Sequence, residues 1–180
     1  MYCHLPLELL DGGTQLTMME PLRLYATEPA LSKPALGDER TSRMVDLGQG
    51  LTLDIVPYDI FGSDVAQDYS SLSAKAVTTE SPGLCFLKGD ENLDALYAIA
   101  PDLPVLGDGA QIKVANSQGL APGTAVEFFI LGGIDCALAD GKAPEGDWVS
   151  LGSGRVNDDG TIIEADAALP CLTWLGYRIQ

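Results

Sequence analysis

Acyl-transfer chemistry needs a nucleophile with a base beside it, and the chain has a single histidine, His4, close to one end. The nearest serine string, Gly152-Ser153-Gly154, lacks both the G-x-S-x-G elbow and an internal imidazole, so serine hydrolase logic is set aside. No glycine-rich loop leads from a strand into a helix, which leaves nucleotide chemistry unsupported. Carboxylate pairs such as Asp54 with Asp59, or Asp158 with Asp159, could in principle flank a sugar. With 26 acidic side chains in 180 residues, such pairs are expected by chance. Asp158 and Asp159 are the weak candidates for a cation, but the EF-hand spacing with its twelfth-position glutamate is absent, and a tight turn is the preferred reading. No cofactor is expected.

The four cysteines, Cys3, Cys85, Cys136 and Cys171, never form a C-x-x-C pair, which argues against zinc or iron–sulfur cages. An even count permits two disulfides in three connectivities and suits an oxidising compartment. The pair expected to be oxidised lies among Cys85, Cys136 and Cys171, because Cys3 sits at a terminus.

The charge of the chain narrows its partners. Ten basic residues against 26 acidic ones give a net charge of −16, a surface that repels phosphate backbones and anionic lipid. Nucleic acid is excluded on this ground, and a protein partner, either a second copy or another surface protein, is expected. No run approaches the roughly 20 apolar residues of a spanning helix, so no membrane span is expected. The first residues show neither a basic region nor a long apolar core, which fits a chain whose secretion signal was removed, or a fragment.

The elements that must carry these residues read as strands. Alternation and β-branched or aromatic enrichment mark residues 15–19, 22–27, 43–47, 51–57, 71–77, 96–100, 111–115, 125–131, 148–156, 161–165 and 172–179. Only residues 90–96 have a short helix-like look. Val156-Asn157-Asp158-Asp159-Gly160-Thr161 is the clearest hairpin, since its residues tolerate the backbone angles of a tight turn. Residues 28–39 and 132–146 read as surface loops. The expected fold is all-β, a Greek-key β-sandwich over residues 45–180, with an N-terminal extension or hairpin over residues 1–44. That extension packs on its own sandwich or exchanges with a neighbour's, because an isolated hairpin is marginal in water.

Two segments resemble known sequences. Leu47-Gly48-Gln49-Gly50-Leu51-Thr52-Leu53-Asp54-Ile55-Val56-Pro57, followed by Leu96-Tyr97-Ala98-Ile99-Ala100-Pro101 and Ala110-Gln111-Ile112-Lys113-Val114-Ala115-Asn116, resembles the ZU-type sandwich shared by netrin receptors, ankyrins and bacterial surface proteins. Gly119-Leu120-Ala121-Pro122-Gly123-Thr124 and the Trp148 to Val156 strand extend the likeness. Cys171-Leu172-Thr173-Trp174 is similar to the cleavage site of related autoproteolytic sandwiches, whose last strand begins His-Leu-Thr. The resemblance implies Thr173 as nucleophile, Leu172 as bearer of the scissile carbonyl and Cys171 in the place of the base. A thiol is a poor substitute for imidazole there, so these positions read as vestigial and catalysis is not expected. The whole points to a non-catalytic structural or adhesive module, extracellular or at the cell surface. An autoproteolytic domain and a calcium-assisted carbohydrate-binding module are the alternatives.

Overall fold

The computed structural model of the chain describes residues 28–29, 40–61, 72–133, 135–138 and 141–180. The expected strands at residues 15–19 and 22–27 lie outside these. Among the described residues, twelve strands and one short helix follow one another as β1 Glu28–Pro29, β2 Arg43–Asp46, β3 Leu51–Ile55, α1 Pro57–Phe61, β4 Ser73–Val77, β5 Ala95–Pro104, β6 Gln111–Ala115, β7 Ala125–Leu131, β8 Ala137–Leu138, β9 Gly141–Lys142, β10 Trp148–Val156, β11 Ile162–Ala165 and β12 Cys171–Ile179. The chain is all-β.

Hydrogen bonding joins most of the described strands into one sheet and does not mark out the two sheets of the expected sandwich. Ten of them form one antiparallel sheet in the order β1-β4-β5-β12-β7-β10-β11-β6-β3-β2, and β8 with β9 makes a separate small hairpin. Seven strand steps separate β4 from β3, which would be about 34 Å in a flat sheet. Yet Leu72 and Ala74 at β4 share one core with Leu51, Leu53 and Ile55 of β3. The sheet must therefore curl so that its inner face encloses that core. Cross-links at the curl support this: Val105 N–H donates to Pro170, Leu106 N–H to Asp59 of α1, and Ala110 bridges Leu169. The expected division at residue 44 falls inside β2, which is part of the same sheet.

Period-two patterning fills the inner face. Leu51, Leu53 and Ile55 of β3, Ile112 and Val114 of β6, Val126, Phe128 and Ile130 of β7, and Leu175 and Tyr177 of β12 all point inward. Each such large side chain contributes roughly 1.5–3 kcal/mol relative to exposure. The adjacent strands β7 and β12 also carry apolar residues outward. Phe129, Leu131 and Trp174 join Leu96 and Trp148 in a second cluster on the outer face, roofed by Leu84, Phe86 and Leu93. Those roof residues belong to the connection between β4 and β5. Residues 90–96 accordingly form no helix: 90–94 are irregular and 95–96 open β5. The helical look came from apolar spacing that serves this roof.

The β10–β11 hairpin is built as the sequence implies. Asn157 Oδ1 accepts the N–H groups of Thr161 and Ile162 at 2.9 and 3.0 Å, and Gly160 takes the left-handed backbone at φ 75°. Only glycine adopts that conformation without strain.

Candidate functional site

The positions that resemble a cleavage site lie at the start of β12. Leu172 and Thr173 are buried at 0% and 4% exposure, and the pairing of β12 with β5 shifts register between Leu172 and Trp174. Cys171 is bonded to Cys136, with Cα atoms 5.2 Å apart. A disulfide sulfur has no proton to exchange, so Cys171 offers no thiol that could serve as a base. The pair Cys136–Cys171 falls within the three cysteines expected to be oxidised. Cys85 is also disulfide-bonded, and no free cysteine occurs among the described residues.

The weak cation candidates are engaged in their turn. Asp159 accepts both the backbone N–H and the hydroxyl of Thr161, and these bonds hold its carboxyl below the usual carboxylate range. Asp54 accepts a hydrogen bond from Ser42, whereas Asp59 sits on α1 against the turn at Gly107. Among the described residues no three His, Cys, Asp or Glu side chains gather as a metal site.

Among the described residues, β2 is the last strand at one end of the sheet. Leu47 N–H bonds Leu51 at 2.9 Å, and the register continues through Val45 opposite Leu53 and Arg43 opposite Ile55. Antiparallel ladders alternate, so the backbone groups of Met44 and Asp46 point away from β3. No described strand pairs with β2 on that side. Met44 is 55% exposed, one of two large apolar side chains so placed among the described residues. Beside it, a shallow groove of about 290 Å³ runs over the outer face between Met44, Thr52, Lys113 and Ile162. Sequence reasoning missed this edge, because periodicity identifies a strand without placing it in an order.

A second feature lies on the outer face of β7, β10 and β12. Arg178 pairs with Glu127 and stands over the Phe129 ring, 5.1 Å from its centroid. Glu127 also accepts from Ser150 at 2.8 Å; that bond first, and Arg178 second, hold its carboxyl below the usual range. Lys88, from the β4–β5 connection, pairs with Asp147 at 2.8 Å, which raises the ammonium's pKa. Arg178, Lys88 and Asp147 rim a groove of about 430 Å³ floored by Phe129 and Trp148. No helix among the described residues is long and apolar enough to cross a membrane. No protein-family model, curated protein or solved structure matches the chain.

Proposed function

We propose that the chain is a non-catalytic structural or adhesive β-module of the cell exterior, which assembles with further copies by adding a strand at the β2 edge. The observation that carries this reading is the pair of outward-facing backbone positions, Met44 and Asp46, beside an exposed apolar side chain and a groove. An added strand gains main-chain hydrogen bonds from such an edge, and alternate side chains supply selectivity. The disulfide Cys136–Cys171 fits an oxidising exterior, where such bonds persist. The resemblance to bacterial surface sandwiches points the same way. The cleavage alternative is weakened by the loss of the Cys171 thiol, and the calcium-assisted alternative by the turn bonds of Asp159.

Sedimentation equilibrium tests the reading. With a net charge of −16, copies repel one another, and added salt screens that repulsion. The weight-average mass is expected to rise above 19.0 kDa with concentration, and more steeply in salt. Met44→Pro removes an N–H that the β3 ladder does not use, so the fold is retained while the added strand loses a partner. A wild-type protein that stays at 19.0 kDa throughout, or a folded Met44→Pro that associates equally well, overturns it.

A further inference from the structure

Strand addition at β2 can build two kinds of assembly, according to which strand is added. Head-to-tail addition repeats without closing and gives a filament, whereas an isologous contact pairs a surface with itself and stops at two copies. A filament needs a second edge able to receive β2. Among the described residues the opposite end of the sheet is β1, Glu28–Pro29, which is two residues long. Pro29 has no backbone N–H to donate, so β1 offers little to a ladder. β8 and β9 are equally short and already pair with each other. β2 has four residues, and Met44 and Asp46 turn their backbone groups away from β3. The best-matched described edge for β2 is therefore another β2.

We propose that the strand added at β2 is the β2 of a second copy, antiparallel and centred on Met44, so that assembly closes as a two-fold dimer. The inference rests on the reading of β2 as an assembly edge. Outward-turned positions must face one another across an antiparallel pair to exchange their hydrogen bonds, which leaves three alignments within β2. Asp46 opposite Asp46 sets two carboxylates face to face, which is destabilising. Met44 opposite Asp46 places an apolar side chain beside a charge. Met44 opposite Met44 joins two side chains that are each 55% exposed in the single copy, and sets Asp46 opposite Ser42. This alignment is selected because it covers apolar surface without opposing like charges. Residues 40–46 hold two arginines and one aspartate, so the strand brings no net negative charge to the contact although the chain carries −16. Four residues make a short ladder, and the dimer is expected to be weak and to form with rising protein concentration.

Sedimentation equilibrium of the wild-type protein, with oxidative cross-linking of Met44→Cys, tests the arrangement. Opposed residues of a hydrogen-bonded antiparallel pair have Cα atoms about 5.5 Å apart, within the span of a disulfide. Leu106, on the β5–β6 connection and 62% exposed, supplies the control for random collision. Met44→Cys is expected to give a dimer linked through residue 44 on the order of tenfold faster than Leu106→Cys, because paired edges hold the two thiols at a high effective concentration. The wild-type mass is expected to level off at twice 19.0 kDa. Two results overturn the isologous pairing alone: a mass that climbs past the dimer, or cross-linking of Met44→Cys no faster than that of Leu106→Cys in a protein whose association Met44→Pro abolishes. A wild-type protein that stays at 19.0 kDa, or one whose association Met44→Pro leaves intact, overturns the edge reading and this inference with it. Should Met44→Cys not fold, the wild-type plateau decides alone.

Discussion

At Glu127 and Tyr97 the environment of one ionisable group has a consequence for stability. The folded state lowers the Glu127 pKa beneath its ordinary 4.5 through Ser150 and Arg178, so its contribution is fully present above about pH 4.5 and lost as pH falls through the lowered value. Glu127→Gln is expected to flatten the acid limb of stability, seen as a smaller difference between urea midpoints at pH 7 and pH 3. Tyr97 has the opposite sign. Burial, and then the charge of Tyr177, push its phenol up from 10.0 to about 12. Its contribution is complete below pH 10 and is lost as pH rises toward 12, on the order of 3 kcal/mol in all. Tyr97→Phe should remove that alkaline loss in denaturation curves taken between pH 9 and pH 12. Neither shift was legible in the sequence, which shows Glu127 only as a polar residue in an apolar run. Ser150 and Arg178 lie 23 and 51 residues from it in the chain. By contrast, the turn role of Asn157 and Gly160 was legible, because the bonds of a tight turn are local.

Strands whose alternation is uninterrupted were readable to the residue: β6 and β7 occupy the spans that their patterns predict, and β10 does so too although its pairing with β7 shifts register between Ser150 and Gly152. β5 was not. Its pattern ends at Ala100 before a proline, yet the strand runs to Pro104 because residues 99–102 fall where its pairing with β12 shifts register. A proline is tolerated where no ladder bond is needed. The helix α1 was missed for want of length, since five residues give no periodicity to detect. Strand crowding makes a test at this scale. A Cβ on Gly154 of β10 would stand 2.5 Å from the Glu164 carbonyl oxygen on β11 and 2.6 Å from the Phe128 ring on β7. Neither the ladder nor the core can yield that distance without displacement. Gly154→Ala is therefore expected to lower stability by about 1–3 kcal/mol, measured by urea denaturation. A cost within experimental error would mean that β10 and β11 separate more easily than their pairing implies.

Over the whole molecule, the alternation along the sequence predicted the class of fold, but not the curl of the sheet. Two sandwich sheets and one curled sheet produce the same alternation, because each has one buried face. Distinguishing them requires the order of strands, which is set by contacts between residues far apart in sequence. The same is true of the cysteines: three were marked as candidates, and only the fold brings Cys136, ahead of the small hairpin, to the first residue of β12. That bond closes 35 residues of chain. In the chain-entropy account a loop of this length stabilises by about 4 kcal/mol, through restriction of the unfolded state. Replacing both partners, Cys136→Ala with Cys171→Ala, is expected to cost about 2–4 kcal/mol in urea denaturation while leaving the native near-ultraviolet dichroism unchanged. The denaturant slope should rise at the same time, because an untethered chain exposes more surface when it unfolds. If instead the native spectrum changes and the slope does not, the bond acts on the folded state. It would then hold the segment carrying Cys136 in place against the core that both sulfurs enter.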